Sequence, residues 1–278
     1  MINELYEIES KARLSSPVHD IDARVKLILS IAAIIAVVSY PGKPSVFWLG
    51  LLMGSGFAVI WGLTRLPVQT YLKRFFLILP FGLFIIVFQI FFENRFYETF
   101  TPIVALPFGV QIFAESVEFS MILAVKFVLC ISWIILLSST TPMEEMLSGA
   151  RRLGLPSVMA LSLGMMIRYL FVFARMFGHI SDALANRNFN AFDKSLPYRY
   201  RLKTLGYAVG TLFLRSYEQG ERTYLSMLCR GYGKDSYEHL PEKPLKRREL
   251  AVILTGIVLL VVITAGTYLF AEMGVSVV

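Results

Sequence analysis

Of the 278 residues, 56% are hydrophobic and only 17% are charged, whereas a soluble domain carries about 45–50% apolar and about 25% charged residues. The apolar excess lies in runs long enough to cross a bilayer, which takes about 20 residues per helix, so soluble enzymes and nucleic-acid-binding modules are excluded. The net charge of +7 is equally uneven: residues 140–249 hold 17 Lys and Arg against 10 Asp and Glu, and the rest of the chain is balanced.

In chain order, the first apolar run is Leu27–Tyr40. It is short, and it can span if Arg24 and Lys26 before it extend to the interface. No signal peptide is expected ahead of it, because 26 mixed residues precede the run. Pro44–Thr64, Phe75–Phe92 and Phe119–Met143 follow as spans two to four, the last broken only by Lys126. Thr99–Ala114 is apolar but is interrupted by Pro102, Pro107 and Gly109, which predicts a loop or hairpin at the outer interface. Leu250–Ala271 is the fifth span.

The loops orient these spans. Arg13, Arg24 and Lys26 precede span one, and Arg65, Lys73 and Arg74 separate spans two and three. Lys246, Arg247 and Arg248 open span five, whereas the loop after span three carries Glu93, Arg95 and Glu98. The positive-inside tendency then places the N-terminus and residues 140–249 in the cytoplasm, with five spans ending outside. Leu153–Ile167 is also uncharged and is a rival sixth span. Taking it across would draw Arg168 and Arg175 into or near the hydrocarbon, at about 2.5–3.5 kcal/mol each, so a surface helix is the expectation there.

The organisation is therefore all-α: an N-terminal segment and four spans over 1–139, a cytoplasmic helical segment over 140–249, and a last span over 250–272. Thr141-Pro142-Met143-Glu144 reads as a capping box, with Thr141 the cap and Glu144 reaching back. Met143, Met146, Leu147 and Ala150 make one face apolar, and Arg151 and Arg152 occupy the last turn, where the helix dipole favours cations. This predicts a short amphipathic helix on the membrane surface. Pro156 opens a long helix to about Asn186, with Arg168, Arg175 and Asp182 recurring on one side. Pro197 opens another to about Arg230, ended by Gly231-Tyr232-Gly233.

Chemistry-bearing motifs are few. Gly233-Lys234-Asp235 lacks the upstream glycine and hydroxyl residue of a phosphate-binding loop. Cys130 and Cys229 are isolated, and His19, His179 and His239 make no metal-ligand spacing, so no metal or cofactor is expected. Lys126 is the ionisable residue well inside a span, which makes it a functional candidate as well as a packing one. A chain without a catalytic constellation reads as non-enzymatic. A self-contained secondary transporter or channel remains the alternative class, with Lys126 and Gln89 as its candidate polar groups in the membrane.

Several segments, in one order along the chain, carry a family resemblance. They are Ser16-Pro17-Val18-His19-Asp20-Ile21-Asp22-Ala23-Arg24-Val25-Lys26-Leu27, Arg152-Leu153-Gly154-Leu155-Pro156, Met165-Met166-Ile167-Arg168-Tyr169-Leu170, and Glu221 through Tyr232. Together with Asn186-Arg187-Asn188 they resemble the transmembrane T component of energy-coupling factor (ECF) transporters, the EcfT/CbiQ type, and most closely its cobalt branch. The resemblance implies a coupling subunit of an ABC-type uptake system for cobalt or nickel. Its partners would be two ABC-type ATPase subunits and a metal-binding, CbiM-like substrate subunit. It further implies that Arg187 and Arg230, with Asn186, Cys229 and Gly231 around them, end crossed coupling helices that insert into grooves on the ATPases. The family's Ala-Arg-Gly reads Asn-Arg-Asn at the first site and Cys-Arg-Gly at the second. Thr141, Glu144, Arg151 and Arg152 belong to the short surface helix that would carry the motion onward.

Overall fold

The computed structural model describes residues 16–42, 44–90, 102–105, 111–193, 195–233 and 245–275. Its helices are α1 (Ala23–Ser39), α2 (Val46–Thr64), α3 (Val68–Gln89), α4 (Ala114–Thr140), α5 (Met143–Arg152), α6 (Ser157–Ala185), α7 (Tyr198–Cys229) and α8 (Arg247–Val275). A two-stranded antiparallel ribbon, β1 (Pro102–Ala105) and β2 (Gln111–Phe113), precedes α4, with an irregularity between Pro102 and Val104. The hairpin expected between Thr99 and Ala114 is therefore present. Glu93, Arg95 and Glu98, with residues 234–244, lie outside the described residues.

The chain forms two compact units, one containing α6 and α7 and the other the remaining elements. In the larger unit α4 is the central helix, packing against α1, α2 and α3, while α8 packs on α1 and α2. The core joins Ala33 and Val37 of α1, Leu49 and Met53 of α2, Ile122, Leu129 and Leu136 of α4, and Leu260 of α8. Antiparallel neighbours follow from the pairing of ends. Lys26 at the start of α1 meets Thr140 at the end of α4, and Arg74 near the start of α3 meets Ser139. Gly82 of α3 receives the ring of Phe127, and a Cβ there would fall inside that ring. The outer faces are apolar and uncovered, as on α3, where Leu77 is 76% and Phe81 78% exposed. Such a face suits hydrocarbon, because lipid tails are as apolar as the side chains that meet them.

Five helices are long and apolar enough to cross a membrane: Val46–Thr64, Val68–Gln89, Ala114–Thr140, Val158–Ala185 and Arg247–Leu269. Four of these coincide with expected spans. The fifth is α6, where the sequence predicted a surface helix, because it continues as one apolar helix through Arg168 and Arg175 to Ala185. By contrast α1, at 17 residues, is only about 26 Å long against a hydrocarbon core of about 30 Å.

Two helix starts show how local chemistry sets the boundaries. Asp22 caps α1, its carboxylate accepting from the Arg24 N–H at 3.0 Å. The capping box predicted at Thr141 does not form. Pro142 takes the N-cap position of α5 without a side-chain cap, and Thr141, extended at φ −134°, terminates α4 instead. The Thr141 hydroxyl is buried there without a hydrogen-bond partner. Replacing Asp22 by Ala should lower stability by about 1 kcal/mol while Asp22→Asn holds it; thermal unfolding in detergent, followed by circular dichroism, checks both.

Candidate coupling site

The two arginine-bearing helix ends belong to the unit of α6 and α7, and they match bond for bond. After α6, the Arg187 N–H donates to the Leu184 carbonyl at 3.0 Å and the Asn188 N–H to Ala185 at 2.9 Å. The Phe189 N–H then donates back to Leu184 at 3.1 Å. After α7, the Arg230 N–H donates to Met227 at 3.0 Å and the Gly231 N–H to Leu228 at 2.9 Å. The Tyr232 N–H closes the set on Met227 at 3.0 Å. This is the Schellman arrangement, which satisfies the last carbonyls and turns the chain away from the helix axis.

The arrangement demands a left-handed residue directly after each arginine. Gly231 supplies it at φ 81° and Asn188 at φ 55°. Glycine takes that conformation freely, and asparagine is among the side chains that tolerate it. Asn188 therefore does at the first end what glycine does at the second, so the departure from Ala-Arg-Gly in sequence leaves the backbone turn intact. An aromatic residue follows in both cases, Phe189 and Tyr232. The sequence reading treated Asn188 as a mismatch and passed over Phe189; the shared spacing of arginine, turn residue and aromatic was the signal that would have found both.

Arg187 and Arg230 are exposed, as are Asn186, Cys229 and Gly231. The connection between α6 and α7 is built from side-chain turns. Asn190 accepts from the Phe192 N–H at 3.0 Å, Asp193 accepts from the Ser195 N–H at 2.9 Å, and Arg201 donates to the Ala191 carbonyl at 3.4 Å. Hydrogen bonds from the Ser195 backbone and side chain, with the nearby Arg201 charge, hold the Asp193 carboxyl below its usual range. Its lowered value means that this turn is fully formed at neutral pH and loosens only as pH falls through that value. Phe192 stands 89% exposed at the tip.

Contacts between the two long helices fix their mutual sense. The rings of Phe189 and Tyr200 meet at 6.1 Å where α6 ends and α7 begins, and Tyr169 of α6 hydrogen-bonds Thr223 near the far end of α7. Arg230 lies 30 residues beyond Tyr200, which along a helix is about 45 Å. The guanidinium groups are thus presented at opposite ends of an antiparallel helix pair. They are too far apart to share one binding groove.

The other candidates fall in the larger unit. Glu144 lies in the first turn of α5 and Arg151 and Arg152 in its last, as expected. Gly149 brings α5 against α1, a Cβ there falling 3.3 Å from the Cβ of Ala23 and from Leu27 Cδ1. Lys126 donates to the Tyr40 and Val38 carbonyls at the end of α1. Two of the three donors of its ammonium are thus taken by backbone carbonyls. Among the described residues no group of His, Cys, Asp and Glu is placed to hold a metal ion.

Five helices long and apolar enough to cross a membrane define a multi-pass membrane protein. The sequence profile of the CbiQ cobalt transport proteins matches residues 14–241, and the chain belongs to that family. It is similar to an uncharacterized protein of Methanocaldococcus jannaschii, 25% identical over 259 residues, which cover 93% of this chain and 85% of that one. A second uncharacterized protein of the same organism is 26% identical over 155 residues, covering 55% of this chain and 56% of its own length.

A branched side chain at 188 should be refused. Asn188→Gly should preserve protection of the Phe189 amide in hydrogen exchange, whereas Asn188→Val should reduce it about ten-fold, from a left-handed penalty of about 1–2 kcal/mol.

Proposed function

We propose that this protein is the transmembrane coupling component of an ECF-type ABC uptake transporter for cobalt, with nickel the next candidate. It is non-catalytic itself: ATP is hydrolysed by two partner ATPase subunits, and a CbiM-like membrane subunit binds the metal. The observation that carries this reading is the pair of identical arginine-bearing helix ends. A planar, permanently charged guanidinium on a rigid helix terminus suits a groove lined with carboxylates or carbonyls. Two such ends about 45 Å apart suit two separate subunits rather than one.

The orientation follows from charge. In the larger unit the start of α1, the start of α3 and the end of α4 meet at one end of the bundle. Arg24, Lys26, Arg65, Lys73 and Arg74 belong to that end, which we assign to the cytoplasm. We take α6 and α7 as cytoplasmic coupling helices despite the apolar length of α6, because the alternative carries Arg168 and Arg175 through the hydrocarbon. The uncovered apolar side chains of these helices, such as Met166, Phe177, Phe213 and Tyr217, would rest on the membrane surface and the substrate subunit. ATP-driven closure of the ATPases would move α6 and α7, and α5, packed on α1, would pass the motion to the spans. A self-contained carrier is disfavoured, since Lys126 is already engaged by the carbonyls of α1.

Exchanging Arg187 and Arg230 for Glu tests the reading. Each single exchange should weaken ATPase association by about 2–5 kcal/mol, the usual cost of truncating one member of a desolvated pair. The double exchange should abolish co-purification and cobalt uptake. Wild-type levels of both in the double variant would refute the proposal.

A further inference from the structure

Two lysines far apart in sequence perform mirror-image tasks on the same pair of helices. Lys26, in the first turn of α1 and 7% exposed, donates to the Thr140 carbonyl at the end of α4 at 3.0 Å, and to the His19 carbonyl at 2.9 Å. Lys126 of α4 donates to the carbonyls of Val38 and Tyr40 at the end of α1. Each helix therefore caps the C-terminus of the other. The spans between the two anchor points also agree, 12 residues from Lys26 to Val38 on α1 and 14 from Lys126 to Thr140 on α4.

The chemistry explains the choice of residue. The last carbonyls of a helix have no partner within it and carry the negative end of its dipole. At the far end of α1 the carbonyls of Val38 and Tyr40 would otherwise lack these donors, and an unsatisfied polar group in apolar surroundings is costly. A lysine brings three donors and a positive charge on a flexible stem. Because each lysine holds the opposite end, sliding α1 along α4 breaks both sets of bonds together.

Thr140 is also where the chain leaves α4 for α5, and α5 lies on the first turns of α1 through Gly149, Ala23 and Leu27. The turn Ser16–His19, closed by a 2.6 Å hydrogen bond between the Ser16 hydroxyl and His19 Nδ1, is tied to the same ammonium through the His19 carbonyl. One cation thus joins the entry turn, the start of α1 and the exit from α4.

We propose that Lys26 and Lys126 are paired positioning residues that lock the axial register of α1 against α4 and thereby fix where α5 leaves the membrane bundle. The transport consequence rests on the coupling reading above; the register itself does not. With Lys26 lost, ATPase docking through Arg187 and Arg230 persists, but movement of α5 no longer reaches the spans.

The test uses the full chain with Ala23→Cys and Gly149→Cys. The Cβ separation of 3.3 Å is close to the range a disulfide accepts. Oxidation in membranes should form this bridge, mapped by peptide mass. Lys26→Met should slow it about ten-fold, the loss of about 1.4 kcal/mol expected for hydrogen bonds to a charged group, while Lys26→Arg restores most of the rate. Lys126→Met should slow it less, and the double Met variant by more than the product of the two effects, since a single remaining lysine still resists part of the sliding. Unchanged bridging in Lys26→Met overturns the proposal, and effects that simply multiply overturn the pairing. In the assembled transporter without the cysteine pair, Lys26→Met should keep ATPase co-purification but lose cobalt uptake; loss of co-purification also counts against the proposal. If the unsubstituted chain fails to co-purify with an ATPase, the coupling reading fails and the bridging result stands by itself.

Discussion

The last carbonyls of a helix have no partner within it, and the contact of α1 with α4 is arranged around that constraint. α1 is the short member of the bundle, yet it touches α4, α5 and α8. The carbonyls at its far end are met by Lys126 of α4, while its start is capped by Asp22 and tied to the end of α4 by Lys26. The remaining polar contacts in the spans follow the same logic. The Ser132 hydroxyl donates to the Val128 carbonyl of its own helix and pairs with Tyr71 of α3, and the Arg74 guanidinium donates to Ser139.

The lysines also account for the opening segment Ser16–Leu27. Ser16 and His19 close its turn, Asp22 caps α1 and pairs with Arg24 at 3.7 Å, and Lys26 fastens the whole to α4. A stretch that reads as a signature in the sequence is a structural joint in the fold. The arginine-bearing ends of α6 and α7 belong to the other compact unit.

Much of this was legible beforehand, wherever the cause was local. Long apolar runs gave the spans, and Pro156, Pro197 and Gly231 marked the long helices to within a residue or two. Asp182 and Arg175 signalled an amphipathic α6, and the uncharged Leu153–Ile167 marked it as a rival span, which its apolar length of 28 residues matches. What escaped was non-local or conditional. The partner of Lys126 lies more than 80 residues away in the chain, and no periodicity encodes it. The capping box at Thr141 had the right letters, but α5 starts one residue later, with Pro142 as its N-cap, and the Thr141 hydroxyl is buried without a hydrogen-bond partner. The role of Asn188 was hidden because the residue was compared by identity with glycine, when the property retained was tolerance of a positive φ.

The contact between Gly82 and Phe127 bears on how sequences of this kind can drift. Position 82 admits no side chain while a phenylalanine ring fills the notch on α3, yet position 127 can shrink at any time. Change at the two sites is therefore coupled: a side chain at 82 can enter only if the Phe127 ring swings aside or gives way to a smaller group, and either leaves its own gap between α3 and α4.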